Sequence, residues 1–424
     1  MNEEIKSMLN TVMLDPDKCK GCITCMKRCP TEAIRVRNGK AKVLYERCVA
    51  CGECVRLCPH QAKLASFDSF DVINNYKYKI AVVAPALYGQ FNNLDDINII
   101  LNGLLQIGFD DVFEVSRAAE LVTAATKKYM KHHKYQQRPI ISTACPAVLE
   151  LILVRFHSLA DRLLPMKAPV DIAINLAREE AVKKGVKKED IGVFFISPCP
   201  AKVFALKTGM GLEKPEADGV LSIAEVYKKL LPAMKNLTEV KPLAKSGSLG
   251  LSWASSGGEA AGVCDVKFLA ADGIENVINV LKELEDDKLQ YLDFVELNAC
   301  NGGCVGGVLN VENPFVAKAR IRALRKNLKY TASEPIAEDK DESFYLWDKM
   351  PEVKDVFRLD ENRRVAMQKL AVIENVLSTL PGLDCGGCGA PSCRAFAEDV
   401  AANEVSKDEC VRYEKRGLYE TFGT

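Results

Sequence analysis

Cysteine is the residue whose number and spacing in this sequence point most clearly to chemistry. The chain contains 17 cysteines, and all but Cys264 fall into four groups of four. Four thiolates are the ligand set of iron–sulfur clusters and of structural zinc sites. The groups are Cys19, Cys22, Cys25 and Cys29; Cys48, Cys51, Cys54 and Cys58; Cys145, Cys199, Cys300 and Cys304; and Cys385, Cys388, Cys393 and Cys410. Cys264 is expected to be a small buried hydrophobic residue.

The third group is scattered along the chain, and its members follow apolar segments that are typical of buried strands. These segments are Ile140-Ile141, residues 193–196 and residues 292–297. Ligands bind at the carboxyl ends of strands in open α/β sheets, so the four thiols are predicted to meet at one edge of a sheet. Glycines around Cys304 would let backbone amides approach a bulky inorganic group. Two thiols after a buried strand could be structural, but the repeated design favours a metal site.

Composition excludes several other classes of protein. Lys+Arg and Asp+Glu both count 57, so the net charge is zero and nothing suggests nucleic-acid binding. No apolar run approaches the roughly 20 residues that span a membrane. The first ten residues lack the basic and apolar regions of a signal peptide, so a secreted disulfide framework is not expected. A cytoplasmic protein that uses its cysteines for metal or redox chemistry is predicted.

The elements that must position the third group alternate between strands and helices. Further strands are predicted at residues 79–84, 111–115 and 266–271. Helices are predicted at residues 94–107, 117–135, 147–157, 170–184, 223–231, 274–284 and 314–326. Residues 247–262, which are rich in glycine and serine, are predicted to form a loop. Strands separated by helices of this length indicate parallel βαβ units.

Residues 19–30 and 48–59 both read C-x2-C-x2-C-x3-C-P. This run resembles bacterial ferredoxins, in which three thiolates bind one cubane and the fourth binds the other. The resemblance implies one 4Fe–4S cluster at Cys19, Cys22, Cys25 and Cys58, and a second at Cys48, Cys51, Cys54 and Cys29. Zinc is the alternative for any C-x2-C pair, but two tandem copies with a terminal proline favour iron–sulfur ligation.

The fourth group reads C-x2-C-x4-C-x16-C between helices predicted at residues 361–380 and 394–403. It resembles the small 4Fe–4S module of reductase subunits and corrinoid iron–sulfur proteins. The resemblance implies a cluster at Cys385, Cys388, Cys393 and Cys410. Zinc remains the alternative, because the long last gap is compatible with either metal.

Three segments, 143–146, 197–202 and 296–304, together resemble the signature loops of the FeFe-hydrogenase catalytic domain over about residues 78–326. The resemblance implies an H-cluster: a 4Fe–4S cluster bridged through Cys304 to a two-iron subsite with CO, cyanide and a dithiolate. Lys202 would donate a charge-assisted hydrogen bond to a cyanide ligand. The catalytic set implied is Cys145, Cys199, Lys202, Cys300 and Cys304. Gly257 and Gly258 would belong to a glycine loop beside the subsite.

Several positions depart from the active members of that family. Ala144 stands where they carry a proton-relaying cysteine, and Ser197 and Asn298 replace methionines near the subsite. Residues 124–129 also lack the usual glutamates of the proton path. A methyl group cannot transfer a proton, so the usual route is interrupted. The positions expected to contact the cofactor are Ala144, Ser197, Gly257, Gly258 and Asn298.

The pattern as a whole resembles the sensory branch of FeFe-hydrogenases. The predicted fold class is α/β, with an H-cluster domain of parallel βαβ units in two lobes. Its predicted domains are a ferredoxin-like α+β domain (1–77), the H-cluster domain (78–330), a linker or surface segment (331–360), and a helix with a C-terminal iron–sulfur domain (361–424).

The function implied is slow conversion of H2, protons and electrons by a sensor with an H-cluster and three further 4Fe–4S clusters. The alternatives are an ordinary ferredoxin-linked hydrogenase with another proton route and a non-catalytic iron–sulfur assembly factor that resembles hydrogenases. Ferredoxin or another redox protein is the expected partner. A signalling protein and a second copy of the chain are left open, and neither nucleic acid nor membrane is expected.

Overall fold

A computed structural model describes residues 10–133, 138–263, 266–330 and 340–412. Cys264, predicted to be a buried hydrophobic residue, lies outside the described residues. The described strands are β1 (Val12–Leu14), β2 (Ile34–Arg37), β3 (Lys40–Val43), β4 (Lys63–Ala65), β5 (Tyr78–Val83), β6 (Asp111–Glu114), β7 (Ile140–Ile141), β8 (Ile191–Ser197), β9 (Gly219–Ser222), β10 (Phe268–Asp272) and β11 (Phe294–Asn298).

The described helices begin with two short ones near the first eight cysteines. They are α1 (Thr24–Lys27), α2 (Glu53–Leu57), α3 (Asn98–Gln106), α4 (Val115–His132), α5 (Pro146–Arg155), α6 (Pro169–Lys183), α7 (Pro200–Thr208), α8 (Ile223–Lys235), α9 (Ser248–Ser252), α10 (Gly258–Val263), α11 (Ile274–Glu285), α12 (Pro314–Arg325), α13 (Arg363–Thr379) and α14 (Cys393–Ala401). No helix among the described residues is long and apolar enough to cross a lipid bilayer.

The larger of two compact units consists mainly of residues 65–352 and contains two parallel sheets. One sheet has the strand order β6-β5-β8-β9, and the other has the order β10-β11-β7. Every strand pair in both sheets is parallel. Parallel strands need helical crossovers, which cover both faces and bury the strands completely. The predicted α/β class with parallel βαβ units is therefore confirmed.

Strand β5 shows how the four-stranded sheet separates two cores. Ile80 and Val82 pack into one hydrophobic cluster, while Ala81 and Val83 pack into another. Side chains alternate between faces along a strand, so successive residues enter opposite cores. All seven residues of β8 are buried, which explains why its sequence is almost continuously apolar.

The prediction of a loop at residues 247–262 is wrong, because the segment contains α9 and α10 joined by a tight turn. Its glycines serve close packing. A Cβ added at Gly250 would lie 2.0 Å from the carbonyl oxygen of Ser116, and one at Gly258 would lie 2.0 Å from that of Ser252. A glycine-rich composition therefore marks close backbone approach here.

The segment after residue 340 packs on the α/β unit. Tyr345 is buried, its carbonyl accepts a hydrogen bond from the amide of Lys167 (2.8 Å), and the amide of Trp347 donates to the carbonyl of Pro165 (3.0 Å). Residues 340–352 therefore belong to that unit.

The second unit consists of residues 12–49, 53–64 and the described chain from Val353 onward. The first and last cysteine groups thus share one unit. The amide of Val36 donates to the carbonyl of Gly389 (2.8 Å), and buried Arg35 pairs with Asp399 at 2.7 Å. Lys27 donates to the carbonyls of Asp384 and Pro391, at 2.6 and 2.7 Å.

Candidate metal centres

Three strand ends deliver the cysteines of the third group. Cys199 lies just beyond β8, Cys300 just beyond β11, and Cys145 four residues after β7 ends. Strand β8 belongs to the four-stranded sheet, whereas β7 and β11 belong to the three-stranded one. The prediction of a site at one edge of a single sheet is therefore wrong, because sequence patterns identify strands without showing which sheet each joins.

Two of these thiols sit at helix N-termini. Cys145 is the residue before α5 and Cys199 the residue before α7, and each helix begins with a proline. Proline has the φ angle of a first helical residue and lacks the amide hydrogen that would be unpaired there. The positive end of the helix dipole favours a thiolate over a thiol at such a position.

Lys202, on the first turn of α7, lies among all four thiols. Its ammonium hydrogen-bonds to Cys304 and donates to the carbonyl of Ala144 at 3.3 Å. Burial by itself would lower the pKa of Lys202, but the thiolates of Cys304, Cys199, Cys145 and Cys300 outweigh it and raise that pKa. The amine therefore stays charged beside the thiols.

The thiols in turn need a cation. Burial raises the pKa of Cys199 to about 11, although Lys202 opposes the shift. Burial also raises the pKa of Cys304, and Lys202 again lowers it. A bound metal deprotonates a coordinating thiol outright, so a metal cluster together with Lys202 would stabilise the four thiolates here.

Glycines hold the loop around Cys304 against its neighbours. A Cβ added at Gly303 would lie 2.4 Å from the amide nitrogen of Ser256, and one at Gly307 would lie 2.2 Å from the carbonyl oxygen of Pro198. The φ of Gly303 is 92°, which side chains rarely adopt. These glycines bring the cysteine loops together by close backbone contact.

A cavity of about 60 Å³ opens beside Cys304. Its lining includes Ala144, Lys202, Asn298 and Cys304, together with apolar residues such as Phe195. Four gathered thiols with an adjacent cation fit an iron–sulfur cluster, and a mostly apolar cavity lies next to one of these thiols, Cys304. The sequence-predicted residues Ala144, Asn298 and Lys202 are thus brought together at one cavity.

The other expected cofactor positions lie around the cavity wall. The hydroxyl of Ser197 donates to the carbonyl of Cys199 at 3.0 Å, so it supports the cysteine loop. The amide of Gly257 donates to Glu296 at 2.9 Å. Gly258 begins α10. None of these three is among the described residues that line the cavity.

Two buried carboxyl groups, which sequence reasoning missed, also line the cavity. They belong to Glu259 on α10 and Glu296 on β11. The hydroxyl of Ser142 donates to Glu259 at 2.6 Å, and the side-chain amide of Asn298 donates to Glu296 at 2.8 Å. Burial raises the pKa of both, that of Glu259 to about 8, where the charge of Glu296 adds to the effect. A glutamate inside an apolar parallel strand was the available signal for Glu296.

The first two cysteine groups repeat each other in structure. The amide of Ala33 donates to the sulfur of Cys29 at 3.2 Å, and the amide of Ala62 donates to that of Cys58 at 3.2 Å. Burial raises the pKa of Cys25 and Cys54. Amide–sulfur hydrogen bonds of this kind stabilise thiolate ligands and suit iron–sulfur clusters.

The fourth group surrounds its own small cavity of about 10 Å³. All four of its cysteines line it, with Phe396 and Ala390 on the apolar side. Among the described cysteines only Cys385 is exposed. No set of three or more His, Cys, Asp or Glu side chains within the described ranges has the geometry for a single metal ion.

Comparison with known families matches each cysteine-bearing region. Residues 77–264 and 204–308 match the family described as iron only hydrogenase large subunit, C-terminal domain. Residues 11–59 match the 4Fe-4S dicluster domain, and residues 380–412 match an Fe-S cluster family.

Individual relatives agree with these matches. Iron hydrogenase 1 of Clostridium pasteurianum is 22% identical over 413 residues, which cover 80% of this chain and 72% of the relative. One component of the ion-translocating oxidoreductase complex of Cronobacter sakazakii is 42% identical over 50 residues, 12% of this chain and 26% of that protein. A solved FeFe-hydrogenase structure from Chlamydomonas reinhardtii has a TM-score of 0.54 at 16% identity, over 66% of this chain and 95% of that one. The last likeness concerns the fold alone.

Proposed function

Because this chain belongs to the iron-only hydrogenase family, we propose that it binds H2 and slowly converts it to protons and electrons, or the reverse, as an H2 or redox sensor. The H-cluster, when bound by Cys145, Cys199, Cys300 and Cys304, supplies the two-iron site at which H2 is split heterolytically. The observation that carries the proposal is the cavity beside Cys304, whose wall includes Lys202 and Ala144.

Lys202 supplies a positive charge to the wall of this cavity. Its ammonium remains protonated among four thiols and can donate charge-assisted hydrogen bonds to anionic groups in the cavity, such as cyanide. The lysine is held from both sides, by the carbonyl of Ala144 and by Cys304. Lys202 therefore serves to bind the cofactor, and its ammonium does not release a proton near neutral pH.

Ala144 makes the turnover slow. It lines the cavity where the family's active members place a thiol, and its methyl group can neither accept nor donate a proton. Only H2 binding and a change in redox state are needed for sensing, so slow turnover is compatible with that role.

A faster proton route favours a second candidate function, an ordinary ferredoxin-linked hydrogenase. Glu259 lines the cavity, and its raised pKa keeps a carboxylic acid there at neutral pH. Ser142 links it to the Ala144 loop, since the hydroxyl donates to Glu259 and accepts from the amide of Ala144 at 3.3 Å. These groups could hold and move a proton without a thiol at position 144.

Electrons would leave through the second unit. The first two cysteine groups would hold two 4Fe–4S clusters, and the fourth group a third. The loop of Cys385 packs on α1, because a Cβ at Gly386 would lie 3.1 Å from Met26, next to Cys25. Exposed Cys385 marks the point where ferredoxin, another redox protein or a signalling partner would exchange electrons.

Infrared spectroscopy of the matured protein tests the proposal directly. Bands of CO and cyanide report the two-iron subsite, and we expect them to be present and to change under H2. Absence of these bands in protein with full 4Fe–4S content would favour the assembly factor. A turnover rate equal to that of ordinary members would favour the second candidate function.

A further inference from the structure

Lys63, the first residue of β4, is a buried cation in the ferredoxin-like part of the second unit. It is 2% exposed, and its ammonium has no hydrogen-bond partner within the part of the chain that the structure describes. Burying an ammonium without compensation costs several kcal/mol. A neighbouring anionic group would offset this cost.

The internal repeat shows that the fold itself does not require a lysine there. Glu32 and Gln61 both have a φ of 51°, and each is followed by an alanine that donates to the sulfur of the preceding cysteine. The next residue is Ile34 in the first repeat and Lys63 in the second. Ile34 is also 2% exposed and packs in an apolar cluster with Cys19 and Cys25.

Lys63 lies close to cysteines of both groups. Its positive charge lowers the pKa values of the Cys25, Cys54 and Cys58 thiols, whereas burial raises them. Cys25 and Cys58 belong to one predicted ligand set, and Cys54 to the other. The cation is therefore near enough to influence both clusters.

We propose that the Lys63 ammonium is a fixed positive charge that raises the reduction potentials of both ferredoxin-like 4Fe–4S clusters. A cluster with four thiolate ligands is anionic, which would offset the cost of burying the cation. Reduction adds one electron to the cluster and makes it more negative, so a nearby cation stabilises the reduced form more than the oxidised form. Lys63 would thus help these clusters to accept electrons.

The inference rests on the cofactor part of the proposed function, that the first eight cysteines hold two 4Fe–4S clusters. Iron and acid-labile sulfide analysis separates the two failures. A chain without two clusters at these cysteines would refute the cofactor assignment, whereas two intact clusters with unaltered potentials in the variants would refute only the role of Lys63.

The test is a potentiometric titration of the full chain with dithionite, followed by electron paramagnetic resonance of the reduced clusters. Lys63→Met removes the charge and keeps an unbranched apolar side chain, while Lys63→Arg keeps the charge. We expect Lys63→Met to shift both one-electron equilibria at least tenfold toward the oxidised form, ~59 mV downward. Lys63→Arg should change them much less. The control is Lys42→Met, which removes the same charge from an exposed lysine of β3.

Three results would overturn the proposal. One is an unchanged potential for both clusters in Lys63→Met. Another is a shift of only one cluster, which would limit the cation to that cluster. The third is loss of both clusters in Lys63→Met but not in Lys63→Arg, which would assign the charge to cluster assembly.

Discussion

The two units hold their cysteines by different physical means. In the α/β unit the four thiols follow strands of two sheets whose cores consist of many aliphatic side chains from distant parts of the chain. In the ferredoxin-like segment, the apolar cluster has six buried residues, of which two are the predicted ligands Cys19 and Cys25. The large core therefore shapes the first site, whereas we expect the folding of the ferredoxin-like segment to depend on metal bound by its own cysteines.

This difference predicts where metal loss matters. Small metal-binding segments gain most of their folding free energy from the bound metal, whereas a large apolar core does not.

The largest effect should follow removal of iron. When a chelator strips the full chain under reducing conditions, we expect residues 12–64 to lose protection while residues 78–326 keep theirs. Limited proteolysis with mass spectrometry measures this, with the loaded chain as control. Equal protection of both regions in the stripped chain would show that the ferredoxin-like segment is preformed.

The next largest effect tests the second candidate function, in which Glu259 moves protons at the cavity of the α/β unit. In that case Glu259→Gln should lower H2 turnover about a hundredfold. A positioned acid or base typically contributes about 10²–10⁴-fold. The pKa of Glu259 is raised to about 8, so its acid form is present below pH 8 and is lost as the pH rises through 8. Proton reduction by the wild type should fall over that interval, and the glutamine variant should not show this step.

A matched control for that experiment is Glu114→Gln. Glu114 is also buried, accepts backbone amides of Lys245 and Ser246, and is not among the described residues that line the cavity. Infrared bands verify that each variant carries the two-iron subsite. Equal losses in both variants would mean that Glu259 matters only for stability.

The third effect tests whether the C-terminal segment supports the weakly packed ferredoxin-like part. Asp399→Asn should destabilise the second unit by about 3–5 kcal/mol, because it leaves the buried Arg35 guanidinium without its charged partner. The denaturant midpoint of cluster loss, followed by visible absorbance, measures it. Asp360→Asn removes a more exposed pair with Lys369 and should cost about 0–1 kcal/mol. Equal midpoints for the two variants would contradict this support.

The smallest effect should come from Ala144→Cys, which restores a thiol at the cavity. We expect turnover to rise about tenfold, below the usual range for acid–base help, because residues 124–129 still lack the usual glutamates. Turnover at matched subsite occupancy is the measurement. No gain, together with a large loss in Glu259→Gln, would assign proton transfer to the glutamates alone.

The sequence could predict the features that depend on residues close together in the chain. The ferredoxin-like and C-terminal cysteines lie close together in sequence, so their spacing alone identifies each group. The parallel strands before Cys199 and Cys300 were also predicted, because buried strands are almost continuously apolar.

Contacts between residues that are distant in the sequence could not be predicted, because no spacing pattern in the sequence indicates them. Glu259 and Ser142 are 117 positions apart, and Arg35 and Asp399 are 364 apart. The side chains of these residues look like ordinary polar surface residues until the fold pairs them. The sheet membership of β7 and β8 was hidden for the same reason.

The second unit is built from the early and the late parts of the chain, with residues 65–352 between them. During synthesis, Arg35 leaves the ribosome long before Asp399 exists. At about 5–20 residues per second, the intervening stretch takes roughly 15–60 s to make. Throughout that interval the ferredoxin-like cysteines are present without the helix whose Asp399 later pairs with Arg35. We therefore expect oxygen and competing metals to have their best access to these thiols while the chain is still growing.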